Sequence, residues 1–260
     1  MTIKTTLFAV LLLLAGALPA QQNFWSDADL RNLDQTLAQE RLFKVTNFRA
    51  QQLNTTAMKA ALRNAPLEGA AETPLQLAFP MPNGGYKTFE VVETQVMAPG
   101  LAARYPGIKT YKGWNPEDRR ETLRFGHSHK GFYATILDKE GAVYIDGLSA
   151  ENPDAYMSYY VKDNPNPGLR NGFICEKDPN EDDEPGVYEG DVITPRSGNS
   201  GQVTLRTYRA AIAVTGEYTM FHGGSVADGL AAVVQKVNRL NQVFVRDLAV
   251  RLQLVEDNDQ

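Results

Sequence analysis

Three histidines, a single cysteine and a dense run of carboxylates are the residues of this 260-residue chain whose types could do chemistry. His127 and His129 flank Ser128, a spacing of two that on a strand would aim both imidazoles at one side. Zinc takes three or four ligands, and His222 is the one imidazole left elsewhere, so a histidine-only site requires the fold to bring distant segments together. Surface or core histidines are the favoured reading. Cys175 closes the stretch Asn171-Gly172-Phe173-Ile174-Cys175 and can form no disulfide within the chain, which leaves a free thiol, an intermolecular bridge or a metal ligand. An inert buried thiol is the plainest of these, because free cysteine is among the most buried side chains. Asp178, Asn180, Asp182, Glu184 and Glu189 take positions one, three, five, seven and twelve of a calcium loop. Asp183 stands where the sharp turn needs glycine and neither flank has helical period, so a plain linker is the better reading. No G-x-S-x-G, Walker or G-x-G-x-x-G motif occurs, and the chain shows no complete catalytic site.

The elements that must carry these groups follow from hydrophobic period. Ser225 and Asp228 stand in the relation of a capping box. Val226, Leu230, Val233, Val234, Val237, Leu240 and Phe244 fall on one helical face, opposite Gln235, Lys236, Arg239 and Gln242. Before this helix, Tyr208, Ala210, Ile212 and Val214 alternate within Thr204 to Thr215; after it, Leu248, Val250, Leu252 and Leu254 alternate in the same way. Strand, helix and strand predict one βαβ unit with parallel strands, which needs covered faces and more than two strands. Its further partners are expected beyond residue 260.

Upstream, a strand is expected at Leu42 to Phe48 and a short helix from Thr56 to Asn64. Short β-prone runs follow at Leu75 to Phe79, Phe89 to Val96, Phe132 to Leu137, Val143 to Ile145 and Tyr156 to Val161. Turn formers such as Asn83-Gly84-Gly85, Pro99-Gly100 and Lys139-Glu140-Gly141 separate them. The expected fold is α+β overall: an antiparallel β-rich domain, sandwich-like or a curved sheet, then an incomplete α/β unit.

Lys4, the apolar run from Leu7, and the small residues Ala15-Gly16-Ala17 and Ala20 have the order of a secretory signal peptide. The run to Leu18 is too short to span a bilayer, so the mature protein is expected to be secreted, with no membrane span after cleavage. The formal net charge is −5, and the absence of a basic cluster interleaved with aromatics argues against nucleic acid as a partner. Glu176 to Asp191 carries eight acidic residues against one lysine and Thr194 to Gln202 is rich in Pro, Ser, Gly and Asn, a composition that cannot bury a core. The chain therefore divides into a signal peptide over 1–20, a β-rich domain over 21–175, an acidic linker over 176–202 and the βαβ segment over 203–260.

Tyr208-Arg209-Ala210-Ala211-Ile212-Ala213-Val214-Thr215-Gly216-Glu217-Tyr218, then Phe221-His222-Gly223-Gly224 and the stretch from Asn238 to Val250, resemble the opening of the catalytic domain in secreted bacterial reprolysin-like zinc metalloproteases, which are metzincins. Phe79-Pro80-Met81-Pro82-Asn83-Gly84, Arg104 to Tyr111, Gly131-Phe132, Tyr144-Ile145-Asp146 and Tyr159-Tyr160 look like the propeptide of such precursors. The resemblance implies an endopeptidase acting on polypeptides, with zinc held by H-E-x-x-H-x-x-G-x-x-H. That motif is absent between Met1 and Gln260, so no catalytic residue carries over and the chain as it stands is expected to be inactive. It also implies a propeptide that assists folding and keeps its own catalytic domain latent. Cys175 is then a candidate inhibitory ligand to a zinc site elsewhere, its thiolate taking the position of the attacking water. Ile174-Cys175-Glu176 departs from the Cys-Gly pair common in such switches, and Glu176 opposes a thiolate. The rival reading is a secreted β-rich binding or inhibitory module without activity. It predicts that the helix is buried by the β-domain, whereas a truncated protease predicts residues 203–260 loosely held.

Overall fold

The computed structural model describes residues 22–28, 45, 47–148, 152–163 and 204–260. The leader, Cys175, the acidic linker and most of the strand expected from Leu42 lie outside the described residues.

Nine antiparallel strands form one sheet. They are β1 (Trp25–Asp27), β2 (Arg49–Leu53), β3 (Leu75–Pro80), β4 (Tyr86–Thr94), β5 (Lys109–Trp114), β6 (Thr122–Ser128), β7 (Gly131–Asp138), β8 (Gly141–Gly147) and β9 (Ala155–Tyr160). The order β1-β2-β9-β8-β7-β6-β5-β4-β3 makes a continuous meander from β3 to β9, with the two earliest strands added beyond it. The amide of Ala78 donates to the Gln22 carbonyl at 3.0 Å, and a Gln22–Leu77 bridge draws the two edges together. The sheet is thus a nearly closed barrel, the curved sheet rather than the sandwich of the two forms expected from sequence. Period-2 runs specify an inner and an outer face but do not say whether the inner face meets a second sheet or its own far side.

Alternation places Leu77, Phe79, Phe89, Val91, Tyr111, Leu123, Phe125, Phe132, Ile136, Val143, Ile145 and Tyr156 in one buried interior cluster. Its aromatic rings pack at close range, as in the Tyr111–Phe125 stack at 4.8 Å and the Trp25–Phe132 edge contact at 5.5 Å. Helix α1 (Thr55–Leu62), capped by Asn54, contributes Met58 and Leu62 to the same cluster. Gly84 and Gly85, at φ 98° and 70°, form the β3–β4 turn that the sequence marked. Pro99-Gly100, by contrast, does not turn the chain. Pro99 opens helix α2 (Pro99–Arg104), where its missing amide costs nothing.

The carboxyl segment follows expectation in outline. Strand β10 (Arg206–Ala210) pairs in parallel with β11 (Val250–Leu254), and helix α3 (Gly216–Phe221) precedes the long helix α4 (Val226–Leu248). The Ser225–Asp228 capping box is present, and the helix stops at Ala249, which adopts the left-handed conformation at φ 51°. A third backbone partner comes from the barrel. The excursion between β4 and β5 runs beside β11, with Leu254 N–H donating to Val96 at 2.7 Å and Ala98 N–H donating to Leu254 at 2.9 Å. Val96, Met97, Leu101 and Ile108 then close a second core against Leu230, Val233, Val234, Val237 and Leu254.

Candidate functional site

The face that α4 turns to the barrel is apolar over its first half and polar over its second. Leu230, Val233, Val234 and Val237 are buried as expected, but Leu240 and Val226 of the predicted stripe are 44 % and 55 % exposed. Asn238, Asn241 and Gln242 are buried in their place. Arg239 and Gln242, expected on the solvent face, point at the outer wall of the barrel. Polarity in a helical pattern marks groups that need hydrogen bonds, and a sheet wall can supply them as well as water can.

Each of these side chains meets a defined partner. Asn238 donates from Nδ2 to the Phe125 carbonyl at 2.9 Å and to the Tyr133 hydroxyl at 3.2 Å, and its Oδ1 accepts from Arg124 at 3.2 Å. Gln242 donates to the carbonyls of Thr122 and Thr135 at 3.0 and 3.2 Å, bridging β6 and β7. Arg239 pairs with Asp146 of β8 at 2.5 Å, while the other carboxylate oxygen accepts from Tyr159 at 3.0 Å. Asn241 exchanges two hydrogen bonds with the Leu252 backbone, fixing α4 to β11. Gly126 makes room for this arrangement, since a Cβ there would sit 2.6 Å from the Tyr133 hydroxyl oxygen.

Burial sets the electrostatics. It opposes charge on Arg239, yet the adjacent Asp146 carboxylate outweighs it and holds the guanidinium above its ordinary pKa. Burial pushes Tyr133 up to about 12, against the pull of Asn238 and the nearby arginines. It also raises Tyr159, with Asp146 acting in the same direction. Further ion pairs ring the interface. Arg251 and Lys112 share the Glu68 carboxylate, Arg104 forks onto Asp259, and Asp228 accepts from His129 at 2.9 Å. Asp228 lies well below the usual carboxylate range, first because Ser225 donates to it and then because His129 does.

The fold separates the two histidines of the Gly126–His129 stretch. His127 is on β6, sharing the face of Leu123 and Phe125, and its Nε2 is 3.5 Å from the Tyr111 hydroxyl. His129 lies past the strand end, in the turn to β7, where the alternation that would align the two no longer holds. Burial first, and Lys59 and Lys109 next, lower the pKa of His127 to about 4. His222 follows α3, against the rings of Tyr218 and Phe221, and lines with His127 a cavity of about 60 Å³ at the barrel–α4 junction. Among the described residues no group of three or more His, Cys, Asp or Glu could hold a metal ion, and no helix is long and apolar enough to cross a membrane.

The arrangement is that of a recognition interface: a barrel wall with an addressed set of acceptors and a helix that reads them. Sequence reasoning missed this site because its strands β5 and β6 carry Lys112, Gly113, Arg124 and Gly126, which look like turn or surface residues. A usable signal was present in Asn238 and Gln242, amides four apart beside an apolar stripe.

No curated protein and no solved structure gives a significant match to the chain. Residues 204–260, which contain β10, α3, α4 and β11, match the model of a family described as metallo-peptidase family M12B, reprolysin-like.

Proposed function

We propose that the chain is the amino-terminal part of a secreted zinc metalloendopeptidase precursor, in which the barrel is the propeptide and the segment from residue 204 opens the catalytic domain. The observation that carries this reading is the family match over residues 204–260, the segment that contains α4. That helix docks on the barrel through Asn238, Arg239 and Gln242, which departs from the loose hold expected of a truncated protease and makes the barrel a partner that covers it. A barrel that offers acceptors to one helix can template its placement during folding and hold it afterwards. The outward faces fit the same reading: Tyr208, Met220, Phe221, Leu240 and Val243 are exposed, the kind of surface on which further elements of a domain would close. Zinc belongs to the family, and the described residues offer no ligand set for it, so no catalytic step is assigned to them. Cys175 is proposed as the latency ligand, with Cys175→Ala in the complete precursor giving premature proteolysis; unchanged latency would discard that role. The acidic segment would be where maturation cleaves.

The test is to read the gene past the codon for Gln260. A frame that continues into H-E-x-x-H-x-x-G-x-x-H supports the precursor, and chelator-sensitive proteolysis by its product is the expected activity. A stop codon there overturns it in favour of a second reading, a secreted binding or inhibitory module. One observation favours that reading: Leu230, Val233, Val234 and Val237 are at most 4 % exposed, so the barrel itself covers the first half of the helix stripe.

A further inference from the structure

A second concavity, of about 330 Å³, opens on the outer wall where the second half of α4 crosses β5 and β6. Lys112, Arg119, Arg124 and Arg246 line it with Trp114 and Gln242, and its lining contains no acidic side chain. Three of the four cations have a carboxylate partner: Lys112 meets Glu68, Arg119 lies 4.0 Å from Glu90, and Arg246 pairs with its neighbour Asp247. Arg124 has none. It is 4 % exposed, its one hydrogen bond to a described residue is donated to the Asn238 amide oxygen, and burial together with Arg251 depresses its pKa to about 10. A buried guanidinium that Glu68 helps only at a distance, with no contacting carboxylate among the described residues, is a site that an anion would stabilise.

We propose that this cleft docks the chain's own acidic stretch, Glu181 to Asp191. Charge complementarity is one argument: Glu181, Asp182, Asp183, Glu184, Glu189 and Asp191 supply six carboxylates without a lysine or arginine among them. Position is the other. The chain re-enters the described structure at Thr204, and the Arg206 amide donates at 2.9 Å to Ala249, three residues beyond Arg246 at the cleft. The residues between Asp191 and Thr204 can span up to about 45 Å when extended, enough to bring the acidic stretch back over the cleft. Docked there, the stretch would be withheld from proteases by an ionic latch. That regulatory meaning rests on the precursor reading, but the docking does not.

The experiment uses the full chain without its leader and a glutamate-specific endopeptidase, with a synthetic peptide of residues 176–193 as an unprotected reference. At low salt the stretch in the chain should be cut about fivefold more slowly than the peptide, and the difference should vanish near 1 M salt, where screening acts within a few ångströms. The double variant Arg119→Ser/Arg246→Ser changes exposed side chains and should cut at the peptide's rate at all salt concentrations. Equal rates for chain and peptide at low salt overturn the proposal. So does protection that persists in the double variant, which would place the segment elsewhere. Saturable binding of the peptide to an unprotected chain also overturns it, in favour of an acidic partner in trans. None of these outcomes depends on peptidase activity of the protein itself.

Discussion

The inner and outer faces of the barrel wall solve different problems with the same strands. Inside, Phe79, Phe89, Phe125 and Phe132 fill volume, and their ring contacts tolerate several tilts. Outside, beneath α4, the same β6 and β7 present Phe125, Thr122 and Thr135 carbonyls and the Tyr133 hydroxyl, each taken by one amide of the helix. Volume filling is non-directional, so it decides whether a barrel exists. Hydrogen bonds in a dry interface are directional, so they decide which helix lies on it and in what register. The contrast predicts that damage inside unfolds the whole, whereas damage outside releases residues 204–260 from a barrel that remains.

The largest effect is expected from Phe125→Ala, which removes a fully buried ring from the centre of the interior cluster and should cost about 3–5 kcal/mol. Urea unfolding followed by near-ultraviolet circular dichroism should show the loss across all aromatic signals together. Arg239→Ala comes next, at about 3 kcal/mol, because Asp146 would be left as a buried carboxylate with Tyr159 as its remaining donor. Adding Asp146→Asn should restore part of that loss, and limited proteolysis should show the carboxyl segment cut first. Asn238→Ala strands Arg124 Nη1, the Tyr133 hydroxyl and the second acceptor site of Phe125, and should cost about 2 kcal/mol, read by the same proteolysis.

Acid should separate the two faces further. The folded pKa of His127 lies near 4, below its unfolded value of 6.5. The unfolded chain therefore binds the extra proton between these values, and stability is complete above pH 6.5 and falls as pH drops toward 4. The loss should be on the order of 3 kcal/mol by pH 4, and His127→Phe should flatten it in urea midpoints taken across that window. Asp228 stays ionised throughout it, so the anchoring of α4 by the His129 turn should not weaken with the same profile. The smallest effect is that of Ser225→Ala, about 1 kcal/mol, through loss of the helix cap.

Much of this fold was legible in the residues. Ser225 and Asp228 marked the start of α4 because a capping box is a local device, and β3, β7, β8 and β9 were visible because their inner residues are apolar and their turns carry Gly84, Gly85 or Gly141. Strands β5 and β6 were hidden by what makes them useful. Gly113 and Gly126 admit close neighbours, and Lys112 and Arg124 face outward into a charged interface, which breaks the apolar alternation. The stripe on α4 was misjudged for a related reason. Period tells which residues share a face, but Gln242 carries no local sign that its partners are the Thr122 and Thr135 carbonyls rather than water. Of the site, the histidines drew attention by type, while the amides that make the interface looked ordinary.

The threading of β11 between β10 and the 96–98 excursion has a mechanical side. A pull along this strand toward residue 260 would load its five parallel pairs with β10 and the two bonds at Leu254 in shear, all at once, rather than peeling them one by one. The carboxyl end should therefore resist tension as a clamp does, holding β11 to a sharp rupture rather than releasing it gradually.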